Sequence, residues 1–184
     1  MKMFGKYLSA KNVIAIGIGT ALMFTLMRFV AIPTGIPNVN INLGIAILAA
    51  FAAIFGPITG FLIGFFAHFL VDLTLGRGIW WSWVICSGLF GLGVGSFWNL
   101  FRVEEGGFGL KQILCFCAIQ IAASTVVWGA ITPTLDILIF SAPAEEAYVQ
   151  AIIAGACNAF VALILGTLLL IGYSRTRSGN PRKE

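Results

Sequence analysis

His68 and Asp72 are the two side chains in this sequence best spaced to do chemistry. They are four residues apart, so on a helix they lie on the same face. Such a pair could relay a proton or act as a catalytic dyad, although no nucleophile motif lies near it. No third ligand stands at helical spacing, so we predict no metal site and no cofactor. We interpret His68 as a packed, hydrogen-bonded histidine first and as a ligand-contacting residue second.

A second group combines tryptophans, asparagines and isolated charges. Aromatic walls with a few placed polar groups are typical of small-molecule sites. Structural roles for the same residues stay open as alternatives to ligand binding. The tryptophans could anchor the protein at a membrane interface, and the Arg28 side chain could extend from its helix end to the membrane surface. The asparagines could cap a helix, and Asp72 could form an ion pair with Arg77. The predicted substrate-binding residues are Arg28, Asn38, Asn40, Asn42, His68, Asp72, Arg77, Trp80, Trp81, Trp83 and Asp136.

The elements that must position these residues are membrane helices. The 184 residues are 59% hydrophobic and 10% charged, whereas a soluble domain is nearer one quarter charged. The net charge of +4 could suggest nucleic acid, but the basic residues flank apolar runs, which in a membrane protein is an orientation signal. The composition therefore predicts an all-α membrane protein and no nucleic-acid partner.

The apolar runs predict six transmembrane helices, since about 20 residues cross the hydrocarbon core. A proline- and asparagine-containing loop at 33–42 separates the first two, and the second is too short to cross unless it is sunk below one surface. Pro133 should break or kink the fifth helix. The predicted spans are 13–32, 43–55, 58–75, from about 80 to 101, 112–140 and 147–173.

Basic residues set the predicted orientation. With six spans, nine of the eleven Lys and Arg residues lie on the side that holds both ends, and only Arg28 and Arg77 lie on the other. The positive-inside rule makes the first side cytoplasmic. We predict one domain over 1–174 and a basic cytoplasmic tail over 175–184, in a multi-pass protein of the cell membrane.

Motifs for energy coupling or hydrolysis do not occur in the sequence, which has no Walker motif, G-x-S-x-G or H-E-x-x-H. We therefore predict that the chain is not an enzyme and that any transport energy comes from another protein. Small residues at four-residue spacing recur, and they allow helices to approach closely.

Several segments together resemble the S components of energy-coupling-factor (ECF) vitamin transporters, in the riboflavin-type subgroup. The segments span almost the whole chain and read VIAIGIGTAL (13–22), IPTGIPNVNI (32–41), FGPITGFLIG (55–64), GIWWSW (78–83), SGLFGLG (87–93) and AGACN (154–158).

The resemblance implies six helices with cytoplasmic termini and a substrate site near the outer surface. It also implies a transmembrane coupling (T) subunit and two ABC ATPases as partners. Small residues on the first helix would contact the T subunit, either Gly17 and Ala21 or Ala15 and Gly19. The cargo would be a water-soluble vitamin or precursor, with cobalamin ranked first and riboflavin or another vitamin next.

Two other functions remain open from the sequence. One is an intramembrane enzyme that uses His68 and Asp72. The other is a stand-alone ion-coupled carrier, although such carriers often contain inverted repeats and we find none.

Overall fold

Long apolar runs fold into helices wherever glycine, proline or asparagine does not interrupt them. The computed structural model describes residues 9–37, 39–76 and 78–178. Within these residues one helical turn, Trp98–Phe101, links two of the six principal helices. Those helices are α1 (Ala10–Phe29), α2 (Gly44–Phe55), α3 (Pro57–Leu75), α4 (Trp81–Gly95), α5 (Leu110–Phe140) and α6 (Ala144–Ser178).

Four of the helices in the described part of the chain, α1, α3, α5 and α6, are long and apolar enough to cross a membrane. The other two are shorter, with 12 residues in α2 and 15 in α4. At 1.5 Å per residue α2 rises only about 18 Å, against a hydrocarbon core of about 30 Å. The all-α class is confirmed, whereas six crossings and cytoplasmic termini stay a prediction.

The structure moves several predicted boundaries. Helix α1 ends at Phe29, three residues early, and the predicted loop after it contains a two-stranded antiparallel hairpin, β1 (Ile32–Pro33) with β2 (Asn40–Ile41). The hydroxyl of Thr34 donates a 2.7 Å hydrogen bond to the carbonyl of Val39 and so closes the hairpin. Helix α4 ends at Gly95 rather than at 101.

Helix α6 extends to Ser178, four residues into the predicted tail that begins at 175. The Ser178 hydroxyl shares its one proton between the carbonyls of Gly106 at 3.2 Å and Ser174 at 3.1 Å, and this contact holds the last turn. Residues 179–184 of the predicted tail lie outside the described residues.

Helix α2 is the centre of the bundle. Nine of its twelve residues are buried, and α1, α3, α4 and α6 pack around it. A helix that is apolar all round is stable only when other elements cover it. Its N-terminal end therefore lies inside the protein, beneath the hairpin.

Helices α3 and α4 touch through their backbones. A Cβ atom added to Gly60 would lie 2.5 Å from the carbonyl oxygen of Gly91, and one added to Gly64 would lie 2.3 Å from that of Ser87. Such distances leave room for hydrogen only, so the small residues of 60–64 and 87–91 fix the spacing of the two helices.

Pro133 does not interrupt α5. The helix instead widens into a π-turn at Val127–Ile131, just before the proline. Proline has no N–H to donate, and the Thr132 hydroxyl bonds the carbonyl of Val127 at 2.9 Å. The wide turn holds Trp128, and a second π-turn lies within α6 at Ala162–Gly166.

One end of the bundle is held by a charged cluster that we call the basic pole. Lys11 at the start of α1 pairs with Glu104 in the loop between α4 and α5. From α6, the Tyr173 hydroxyl donates to Glu104 Oε1 at 2.6 Å, and Arg177 Nη2 donates to the Tyr173 hydroxyl oxygen at 2.6 Å. The beginning of α1, this loop and the end of α6 therefore lie at the same end of the protein.

Candidate substrate-binding site

A cavity of about 320 Å³ opens at the other end of the bundle, which we call the site pole. The C-terminal ends of α1 and α3, the N-terminal ends of α2 and α4, strand β2, the π-turn of α5 and the middle of α6 all contribute to its wall. Its lining residues are Met27, Arg28, Ala31, Val39, Asn40, Asn42, Ile45, His68, Val71, Asp72, Leu75, Trp83, Ser87, Trp128, Ala154 and Asn158.

A second cavity of about 150 Å³ adjoins the first. The two share His68, Asp72, Leu75 and Trp83, and the second adds Gly78, Trp80 and Gln150. Because four residues line both spaces, we treat them as one recess with a main chamber and a side chamber.

His68 and Asp72 both line the recess, as their spacing predicts, but they form hydrogen bonds to other partners. The Nδ1 atom of His68 lies 2.7 Å from the hydroxyl oxygen of Ser87, which is buried. Asp72 Oδ2 accepts a 2.9 Å hydrogen bond from the backbone N–H of Trp80. The histidine is thus packed and hydrogen-bonded, and Asp72 fixes the chain at the entry to α4.

Ser87 is a site residue that the sequence analysis missed. A serine beside a histidine resembles a nucleophile and its base. Hydrolysis also needs free donors for an oxyanion, but Ser87 lies inside helix α4, where backbone N–H groups bond within the helix. The geometry therefore suits a binding contact better than acyl transfer.

Asp136 stands behind the recess and does not line either chamber. It is only 2% exposed, and its carboxylate accepts three hydrogen bonds from α4 and the residue before it. Trp80 Nε1 donates to Oδ1 at 2.7 Å, Trp83 Nε1 donates to Oδ2 at 2.9 Å, and the Ser82 hydroxyl also donates to Oδ1. Asp136 therefore positions the two tryptophans that line the recess.

The three predicted tryptophans have different surroundings. Trp83 lines both chambers, and Trp80 lines the side chamber and stacks on Phe140 at 4.7 Å between ring centroids. Trp81 stacks on Phe69 at 5.9 Å and lines neither chamber. Trp81 is thus a packing residue at the surface.

Arg28, Asn40 and Asn42 all line the main chamber. Asn42 also satisfies the first N–H of α2, because its Oδ1 accepts from the N–H of Gly44 at 2.9 Å. The guanidinium of Arg28 lies 5.5 Å from the centroid of the Phe29 ring. Asn38 and Arg77, the other two predicted residues of this region, lie outside the described residues.

Two lining residues that sequence reasoning missed hold unsatisfied polar atoms. Trp128 Nε1 and Asn158 Oδ1 are buried, and neither has a hydrogen-bond partner among the described residues. Trp128 is 1% exposed and Asn158 is 4% exposed. An asparagine in the apolar run of α6 was a signal that could have been read, since such residues are rare at membrane depth.

The small residues of α1 face two ways. Ala15 and Gly19 are buried, and a Cβ added to Gly19 would lie 2.5 Å from the side chain of Ile63 in α3. Gly17 and Ala21 are exposed, and a Cβ added to Gly17 would meet no atom within 4 Å. The first pair serves packing within the bundle, and the second pair is free to meet another protein.

Metal ligands do not cluster in the part of the chain that the structure describes. No group of three His, Cys, Asp or Glu side chains there could hold an ion. The four cysteines are free thiols.

A bundle of apolar helices with a polar and aromatic recess at one pole defines the chain as an integral membrane protein with a candidate small-molecule site. The family described as "ECF-type riboflavin transporter, S component" matches residues 7–175, and the chain belongs to that family. This is a family of transporter components and not of enzymes.

Relatives of the same family have lengths close to that of this chain. The chain is 49% identical to a UPF0397 protein of Lacticaseibacillus casei, over 97% of each chain. It is 46% identical to UPF0397 proteins of Exiguobacterium and of Clostridium perfringens, over 96% of this chain and 97% of each relative. No solved structure matches the chain.

Proposed function

We propose that this chain is the substrate-capturing subunit of an ECF-type importer. It takes a water-soluble vitamin or vitamin precursor into the recess at the site pole, which faces the outside of the cell. A T subunit and two ABC ATPases then drive delivery to the cytoplasm. The single observation that carries this proposal is the recess itself, which residues from all six principal helices and the hairpin line with aromatic rings and placed polar groups.

The contacts of the basic pole support the orientation. Lys11, Glu104 and Arg177 meet at one end, so the chain crosses the bundle an even number of times between each of them. Four passes through α1 to α4 and two through α5 and α6 satisfy this condition. Lys and Arg are enriched at that pole, which favours the cytoplasmic side.

The two short helices are compatible with six passes. Helix α2 is covered by other helices. The hairpin that precedes it occupies the part of the membrane thickness on the site-pole side that α2 is too short to cross. Non-helical backbone at membrane depth is tolerated where it is buried in protein or lines a polar cavity. The strand β2 lines such a cavity through Asn40.

Docking to the T subunit is assigned to the outward face of α1. Gly17 and Ala21 are exposed there, whereas Ala15 and Gly19 are committed to packing inside the bundle. Of the two register alternatives that the sequence leaves open, the geometry favours Gly17 and Ala21.

The test is co-purification and transport. The chain is expressed with a T subunit and both ATPases, purified through a tag on the chain, and reconstituted into vesicles. We expect all four polypeptides to co-purify and cargo uptake to require ATP. An ATPase variant with its Walker lysine replaced is the control, and it should bind cargo without transporting it.

Other outcomes favour the alternatives. Uptake by the chain alone along an ion gradient would identify a stand-alone carrier. If His68→Ala abolished turnover of a bound compound but preserved its affinity, the chain would be an intramembrane enzyme. The absorbance spectrum of the purified protein is a first check on cargo, because a flavin is yellow and a cobalamin is red.

A further inference from the structure

An open groove on the outside of the bundle has an apolar body and a polar end. Residues of α1, of the beginning of α2 and of the second half of α6 line it. Most of its wall is aliphatic and consists of Leu26, Leu43, Ile47, Leu165, Leu168 and Leu169. The two polar side chains among its described lining residues, Tyr173 and Thr176, both lie at the end of α6. The groove therefore changes from apolar to polar along its length.

The length of the groove matches one leaflet of a membrane. Its lining residues on α6 run from Leu165 to Thr176, eleven positions later. At 1.5 Å per residue they span about 16 Å, which is close to half of the hydrocarbon core of about 30 Å. The polar end lies at the basic pole, because the Tyr173 hydroxyl donates to Glu104 there. The groove thus extends from the membrane surface at the basic pole to about the middle of the membrane.

Positive charge surrounds the polar end. Arg175 and Arg177 precede and follow Thr176, so each lies about 100° from it around the helix, one on either side, and both are exposed. Lys11 of the same pole has a side chain that is 52% exposed. Glu104 is the carboxylate among these cations, and it is already paired with Lys11 and Arg177. The end of the groove therefore has an excess of positive charge for an anion to meet.

We infer that this groove binds an anionic phospholipid from the leaflet at the basic pole. An acyl chain lies along the leucines, and the phosphate lies beside Arg175 and Arg177. Such a lipid matches both parts of the groove, since its chain is apolar over the depth of one leaflet and its head group is negative. In the proposed orientation this is the cytoplasmic leaflet, whose negatively charged lipids attract Lys and Arg near the membrane surface.

Native mass spectrometry of the purified full-length chain tests the inference. The chain in detergent is mixed with equal amounts of dioleoyl phosphatidylglycerol, which is anionic, and dioleoyl phosphatidylcholine, which has the same acyl chains and no net charge. We expect one phosphatidylglycerol molecule to be retained on each chain, with at least a fivefold preference over phosphatidylcholine. Equal retention of the two lipids, or retention of neither, would overturn the inference.

A leucine in the groove should displace the acyl chain. Gly172 lines the groove, and a Cβ added to it would meet no atom within 4 Å, so Gly172→Leu fills the groove without strain in the fold. We expect this variant to lose retention of both lipids. Gly17→Leu is the matched control, because a Cβ there also meets nothing within 4 Å and the residue does not line the groove. Unchanged phosphatidylglycerol retention in Gly172→Leu would contradict the inference.

Charge variants test the head-group contact. Arg175→Gln and Arg177→Gln should each lower phosphatidylglycerol retention about fivefold and leave phosphatidylcholine retention unchanged. Lys111→Gln is the control, since Lys111 is exposed near the start of α5 at the same pole but does not line the groove. An equal loss in Lys111→Gln would mean that the lipid responds to the charge of the whole pole and not to this groove, which would overturn the assignment.

The T subunit is the other candidate occupant of the groove. If Gly172→Leu lowered co-purification of the T subunit about tenfold and left phosphatidylglycerol retention unchanged, the groove would belong to the T subunit. The inference would then fail while the proposed function stood. If phosphatidylglycerol retention follows the expected pattern but no T subunit or ATPase co-purifies, the proposed function fails and the lipid site stands.

Discussion

The charged cluster of the basic pole and the wall of the recess differ in how their polar side chains are paired. At the basic pole Glu104 accepts from Lys11 and from Tyr173, which in turn accepts from Arg177, so the polar groups satisfy one another. At the site pole Trp128 Nε1 and Asn158 Oδ1 are buried without partners among the described residues. A cluster that joins segments is complete in the folded chain, whereas a binding site keeps capacity for its ligand.

The site pole also contains a complete cluster, and its position explains the difference. Asp136 accepts three hydrogen bonds and lies behind the recess, so it holds Trp80 and Trp83 without facing the cargo. The recess therefore has a supporting layer behind it in which the polar groups satisfy one another, while its wall includes two residues with unpaired buried atoms, Trp128 and Asn158. Such support is what keeps binding residues in a fixed geometry.

The largest effect is expected from Gly64→Ala, which separates the helices that carry the recess. The new Cβ would lie 2.3 Å from the backbone oxygen of Ser87, and backbone cannot move aside as a side-chain end can. Overpacking of this kind costs about 3 kcal/mol. We expect a lower Tm and loss of cargo binding, because His68 on α3 and Ser87 on α4 would move apart.

The matched control is Gly17→Ala in α1, where the added Cβ meets nothing within 4 Å. Alanine is the better helix former, so the Tm should stay the same or rise. Equal Tm changes for the two variants would show that the close contact between α3 and α4 does not set the geometry of the site pole.

Asp136→Asn should have the next largest effect. The amide keeps one acceptor oxygen but turns an NH₂ group toward a tryptophan N–H, so two donors face each other. We expect a stability loss of about 2 kcal/mol and cargo binding weakened by about tenfold or more, since Trp83 loses its support. Chemical unfolding and calorimetric titration measure the two quantities.

The double variant Asp136→Asn with Trp83→Phe provides the control. It removes the indole N–H of residue 83, which in the single variant would face the NH₂ group of the new amide. If it recovers part of the stability but none of the affinity, Asp136 acts through Trp83. Full affinity in Asp136→Asn alone would instead mean that the tryptophans need no support from α5.

Substitutions on the outward face of α1 should weaken association with the T subunit and leave cargo binding unchanged. Gly17→Leu places a large side chain on the proposed docking face, and we expect co-purification of the T subunit to fall about tenfold while cargo affinity stays the same. Gly172→Leu in α6 is the matched control, since a Cβ there also meets nothing within 4 Å. Equal losses from both variants would remove the docking assignment from α1.

Sequence reasoning predicted the helices and several residues of the recess wall, because both depend on local signals. Runs of apolar residues predicted the six principal helices of the described residues, whereas six membrane crossings stay a prediction. The i, i+4 spacing put His68 and Asp72 on one helix face, and both line the recess. The hairpin was missed because strands of two residues carry no periodicity, and its stability comes from the side chain of Thr34.

The part of the recess wall that α5 and α6 contribute could not be predicted from the sequence. Trp128 reaches the chamber from a π-turn that shifts the helical register, and Asn158 reaches it from another helix. Asp136 was placed among the binding residues because a carboxylate at membrane depth suggests function. Only the packing of α5 against α4 shows that tryptophan donors occupy it, and that packing depends on residues far apart in sequence.

The smallest effect is expected at the basic pole, in the pH dependence of stability. Partial burial alone would raise the pKa of Glu104, but hydrogen bonds from Lys11 and Tyr173 and the positive charges of Lys11 and Arg177 outweigh it, so the pKa is lowered. A carboxyl whose pKa is lowered by folding stabilises the protein above its ordinary pKa of about 4.3, and this contribution is lost as the pH falls through the folded value.

We expect Glu104→Gln to lower stability at pH 7 by less than about 1 kcal/mol, because solvent screens part of the interaction. The Tm of the variant should also fall less steeply below about pH 5 than that of the parent chain. Glu105→Gln is the control, since its partner Arg102 lies only three residues away in the same loop and both side chains are 58% exposed. If the Tm of Glu104→Gln fell with pH as steeply as that of the parent chain, the charges of the basic pole would not hold its three segments together. The difference between the paired polar groups of the basic pole and the unpaired ones of the recess would then depend on neutral hydrogen bonds.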